Sequence, residues 1–99
     1  MTLFNHEIEV AGGSQTGYYN LAGALYEEHR YAEAVVAYNK AIEYKPDYME
    51  GYYNLAVAAL RAGDYAQAWK AVHMADDLGA NVQPEFLDAL SRKMPDPGR

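Results

Sequence analysis

Six residues occur twice in this chain: Gly17-Tyr18-Tyr19-Asn20-Leu21-Ala22 returns unchanged as Gly51-Tyr52-Tyr53-Asn54-Leu55-Ala56. The offset of 34 positions persists downstream, where Ala24 recurs as Ala58, Tyr31 as Tyr65, Ala34 as Ala68, Ala37 as Ala71 and Ala41 as Ala75. Self-similarity at a period of this length marks stacked supersecondary units, none of which buries its apolar face alone. The period within each unit is helical. Tyr18, Leu21, Ala22 and Leu25 fall at i, i+3, i+4 and i+7, one face of a helix expected from about Thr16 to Glu28. A second helix, about Ala32 to Tyr44, offers Ala34, Tyr38 and Ala41 to its neighbour and ends before Pro46. Gly63-Asp64 divides the matching helices of the second unit, about Glu50 to Ala62 and Ala66 to Leu78, with Gly63 supplying a left-handed residue. His29 occupies the equivalent place in the first unit and is expected to adopt the same conformation.

Read as Tyr18-x2-Leu21-Ala22-x2-Leu25, then Ala34-x3-Tyr38, then Pro46, the first unit resembles the tetratricopeptide repeat, a helix-turn-helix with that order and spacing. The resemblance covers residues 15 to 82 as two full units. It implies an all-α, right-handed helix-turn-helix solenoid of about five helices. The second unit departs from the family pattern at Ala59, Val72 and Ala80, which suggests a unit near the end of a stack. After it, Pro84 opens a helix with Phe86, Leu87, Leu90 and Met94 on one stripe, read as a capping helix over residues 84–94. The expected organisation is an N-terminal arm (1–15), a repeat domain (16–94, with units 15–48 and 49–82) and a disordered tail (95–99). In the arm, Leu3-Phe4 and the alternating Ile8 and Val10 have no partner strand elsewhere, so a tail or helix-packing arm is expected, hinged at Gly12-Gly13.

The family lines a concave groove with the first helix of each unit. The resemblance therefore places Tyr19, Gly23, Tyr26 and Glu27 of unit one and Glu50, Tyr53, Val57, Leu60 and Arg61 of unit two on a peptide-binding surface, bordered by Asn20 and Asn54. Tyrosine suits that task, giving large apolar area and a hydroxyl tip for little side-chain entropy. Tyr19 and Tyr53 can equally pack against neighbouring helices, since a groove wall is half buried. Co-chaperone members clamp an acidic C-terminus with Lys, Asn and Arg; the matching positions here hold Tyr19, Gly23, Asn54, Pro84 and Asp88. Only the asparagine remains, and without cations no charge-assisted pair with a carboxylate can form.

Chemistry of other kinds finds little support. His29 with Glu33, and His73 with Asp76 or Asp77, have helical ligand spacing, but each is a pair where a metal site needs three or four ligands. Ser14 and Ser91 lie in no nucleophile-elbow sequence, and Gly12-Gly13 lacks the lysine of a phosphate loop. With no cysteine, neither a disulfide nor a thiol nucleophile is available. The net charge of −6 disfavours nucleic acid and anionic membranes, and no apolar run is long enough for a membrane span. The reading is a cytoplasmic, non-catalytic interaction module without cofactor or metal, binding a basic or apolar protein or peptide. The alternative is a self-assembling structural subunit, a homodimer in the simplest case, because two repeats fall short of the roughly three that stable stacking usually needs.

Overall fold

The computed structural model describes residues 15–98. They form five α-helices and no strand: α1 Gln15–Glu27, α2 Tyr31–Tyr44, α3 Met49–Ala62, α4 Tyr65–Asp77 and α5 Pro84–Lys93. The expected all-helical repeat architecture is therefore present. Sequence patterning placed the starts of α1 to α4 one residue late. The arm residues Leu3, Phe4, Ile8 and Val10, and the Gly12-Gly13 hinge, lie outside the described residues.

Three turns of the same construction fold the chain back on itself. After α1, Arg30 N–H donates to Leu25 O at 2.9 Å and His29 N–H to Tyr26 O at 2.9 Å. After α3, Asp64 N–H reaches Ala59 O and Gly63 N–H reaches Leu60 O; after α4, Ala80 N–H reaches Ala75 O and Gly79 N–H reaches Asp76 O. Each pair of bonds satisfies carbonyls that a helix end would otherwise leave bare, and each needs a left-handed residue. Gly63 and Gly79 supply it at φ 85° and 96°, and His29 takes φ 63°, as its alignment with Gly63 predicts. The His29 ring lies over Tyr31 at 5.6 Å between centroids, a contact that holds the side chain at the turn.

Small residues decide how closely the helices pack. Ala22, Ala34, Ala37, Ala41, Ala58, Ala59, Ala68 and Ala75 are fully buried, so helix backbones approach one another with a single methyl between them. α2 packs against both α1 and α3, and α4 against α3 and, more lightly, α5. Larger side chains fill the remaining wedges: Leu25, Val35, Tyr38, Ile42, Leu55, Trp69 and Val72 form one continuous cluster that ends at Leu90. Leu90 is the bulkiest side chain with no exposed surface, and burying it contributes about 1.5–3 kcal/mol to seating α5. Phe86, Leu87 and Met94 flank it, so the apolar stripe of α5 closes over the second unit.

Polar contacts tie α4 to the preceding unit and to the chain that follows α5. Asp64 caps α4, accepting from Gln67 N–H at 3.2 Å, and Gln67 Nε2 returns a bond to Asp64 Oδ2 at 2.9 Å. The same Gln67 accepts through Oε1 from Asn39 Nδ2 at 2.7 Å, linking α4 of one unit to α2 of the other. At the C-terminal end, residues 95–98 have no regular structure. Trp69 Nε1 donates to Met94 O at 2.7 Å, and Asp96 Oδ1 lies 3.0 Å from His73 Nε2 and accepts from Gly98 N–H. A buried indole N–H needs an acceptor, and the chain leaving α5 provides one.

Candidate functional site: a tyrosine-walled cleft between repeats

The repeated glycine sets the geometry. Gly51 is buried in the first turn of α3, and a Cβ there would stand 2.7 Å from Tyr48 Cδ2 and 3.3 Å from Ile42 Cγ1. The missing methyl lets the Tyr48 ring lie against the helix. From that position Tyr48 meets Tyr19 edge-on at 5.2 Å, while Tyr38 meets the same ring at 5.7 Å and 64°. Edge-to-face contacts of this kind are favourable and directional. Tyr19 is thereby locked into one orientation, with its hydroxyl accepting from Asn54 Nδ2 of α3 at 2.6 Å.

Tyr19, Met49, Glu50, Tyr53, Asn54, Ala80 and Asn81 line an open cleft of about 370 Å³. Its walls come from α1, α3 and the loop between α4 and α5, so neither repeat forms it alone. Tyr53 stacks on Phe86 at 6.2 Å, which joins α5 to the support of the cleft. Burial raises the Tyr19 hydroxyl pKa above its ordinary value of 10; the neighbouring Tyr48 and the Glu50 carboxylate push it further, against the lowering effect of Asn54. Tyr38 behind it is pushed up to about 12, first by burial and then by the surrounding Tyr19, Tyr26 and Tyr48. Both phenols are neutral donors and acceptors at physiological pH.

Of the residues expected on the binding surface, the structure brings Tyr19, Glu50, Tyr53 and Asn54 together in this cleft. Gly23, Tyr26 and Glu27 lie further along α1, and Val57, Leu60 and Arg61 further along α3, outside it; Asn20 is exposed and does not line it. Tyr26 packs edge-on against Tyr31 at 5.1 Å, and both Tyr26 and Leu60 rest on the core cluster. Sequence reasoning missed Tyr48, Met49, Ala80 and Asn81. Tyr48 was legible, since it stands three residues before a helical glycine, where one turn of helix brings a ring over the vacant position. The loop residues carried no such signal.

The histidine pairs resolve into local contacts. Arg30 grips Glu33 with two bonds of 2.7 Å, Nε to Oε1 and Nη2 to Oε2, while His29 stacks on Tyr31. Among the described residues no group of three or more His, Asp or Glu is placed to hold a metal ion, and no helix is long and apolar enough to cross a membrane.

Two helix pairs of matching build, joined by matching turns and closed by a fifth helix, define a helical-repeat protein. The family model of the TPR repeat matches residues 22–63, from the middle of α1 to the end of α3, and this match together with the five helices supports a TPR-type repeat protein. Members of that family are in general non-catalytic modules that bind protein partners. No curated protein matches the chain at a significant level.

Proposed function

We propose that this chain is a non-catalytic interaction module that binds a peptide or protein partner in the cleft between Tyr19 and Tyr53. The observation that carries the reading is the Asn54–Tyr19 hydrogen bond of 2.6 Å, which holds an aromatic wall in place across two repeats before any partner arrives. Pre-set walls reduce the ordering cost of association. Both tyrosines are half-buried, so they combine a fixed ring with an accessible edge. The test is alanine at Tyr53, with partner binding and helical circular dichroism read on the same sample. Lost binding with retained helix supports the cleft; joint loss of binding and helix assigns Tyr53 to the core and removes it from the site.

A second reading, self-association, is favoured by the large apolar side chains left in solvent on α2 and just beyond α4. Val36 and Tyr44 are 56% and 57% exposed, and Leu78 is 38% exposed. Sedimentation over a hundredfold range of concentration decides it, a constant monomer mass being the result that ends the idea.

A further inference from the structure

This inference rests on the binding role proposed for the cleft and concerns which side chain enters it. The lining is rich in acceptors and contains no Lys, Arg or His. Glu50 is its one charged residue; it is exposed, and it enters no ion pair among the described residues. Asn54 has committed Nδ2 to Tyr19, which leaves its Oδ1 to accept from a ligand. Glu50 is close enough for its charge to be felt at the Tyr19 hydroxyl, so carboxylate and phenol share one local field. Tyr53 adds an aromatic face that attracts cations. A carboxylate ligand would meet the Glu50 charge and find no cation to pair with here, which is the reverse of the acid-binding clamp.

We propose that the cleft receives a lysine or arginine side chain of a partner polypeptide, its charged head between the Glu50 carboxylate and Asn54 Oδ1 and its methylenes along the Tyr53 ring. A volume of about 370 Å³ suits one long side chain with its backbone rather than a folded element. The net charge of −6 draws such a partner in from a distance, and the cleft sets the register of the encounter.

The test uses the full chain and three fluorescein-labelled peptides that share one leucine-containing frame and carry Arg, Gln or Glu at the same positions. Binding is read by polarisation, and the site by shifts of the Tyr53 and Asn54 amide resonances. The Arg peptide should bind about tenfold more tightly than the Gln peptide, and the Glu peptide should not bind. Glu50→Gln should erase the tenfold preference, Glu50→Lys should transfer it to the Glu peptide, and Glu43→Gln, the same charge change on α2, should leave it intact. Equal loss from Glu50→Gln and Glu43→Gln would reduce the effect to net charge and overturn the proposal. Shifts at Tyr53 and Asn54 caused by the Gln or Glu peptide but not by the Arg peptide would overturn the cation while the binding cleft stands. No shift from any of the three would take down the cation and the cleft together.

Discussion

Alanine substituted for glycine should act in opposite directions at two helical positions of this protein. In an exposed helix interior the change gains about 1 kcal/mol, because glycine loses more backbone freedom on folding and contributes no side chain. Gly23 in α1 is partly exposed and comes close to that condition, since among the described residues a Cβ there has no atom within 4 Å outside its own helix. Gly51 in α3 does not, since its Cβ would stand 2.7 Å from the Tyr48 ring and 3.3 Å from Ile42. Contacts that short force the ring aside, and overpacking of this kind costs about 1–3 kcal/mol. Set against the same propensity gain, the net loss at Gly51 is about 1 kcal/mol, and the two variants should differ by about 2 kcal/mol. For a domain of this size each kcal/mol moves the melting temperature by about 4–8 °C, so thermal circular dichroism separates them easily. Gly51→Ala should also disturb the cleft, because Tyr48 leans on Tyr19 at 5.2 Å. A Gly51→Ala protein that melts above wild type by as much as Gly23→Ala would refute the account of the repeated glycine as a seat for the ring.

Other expectations follow from the same contacts. Leucine at Ala34 or Ala68, both fully buried where helices meet, should destabilise by about 1–3 kcal/mol in urea unfolding; unchanged midpoints at both would contradict the packing register. A double-mutant cycle of Tyr19→Phe and Asn54→Ala should give a coupling of about 1 kcal/mol, and additive losses would mean that the bond between repeats contributes nothing. Tyr38 has a folded pKa near 12 against an ordinary 10, so burial favours its neutral form. The stability it lends is complete below pH 10 and is lost as pH rises from 10 through about 12. Tyr38→Phe should shift alkaline unfolding upward in that window, and an unaltered transition would assign the unfolding to other groups.

The repeat, its helices and its turns were legible because they depend on local rules applied twice. A helical stripe starting at Tyr18 and Tyr52 needs no knowledge of the partner, and aligning His29 with Gly63 suffices to assign its backbone. The cleft was only half legible. Tyr19, Glu50, Tyr53 and Asn54 follow from counting along α1 and α3, but which stretch of those helices opens into a cleft depends on the loop between α4 and α5. Ala80 stands 34 positions after Pro46, but that alignment does not tell which residues face a cleft, and Asn81 carries no signal of its own. At the C-terminal end Pro95 and Pro97 rule out a helix, but nothing in their order announces that Asp96 lies 3.0 Å from His73 of α4.

The bond that Asn39 makes to Gln67 has a consequence for how the protein comes apart. Gln67 is simultaneously part of the start of α4, through Asp64, and the acceptor for a side chain of α2. Fraying α4 from its first turn therefore breaks a contact held by the preceding unit, and loosening α2 removes a brace from the nucleus of α4. In a one-dimensional stack, such shared contacts set the correlation length, the distance over which one unit senses the state of the next. Here that distance spans both hairpins, so hydrogen exchange should show the α2 and α4 amides opening with a single free energy rather than as a ladder of independent steps.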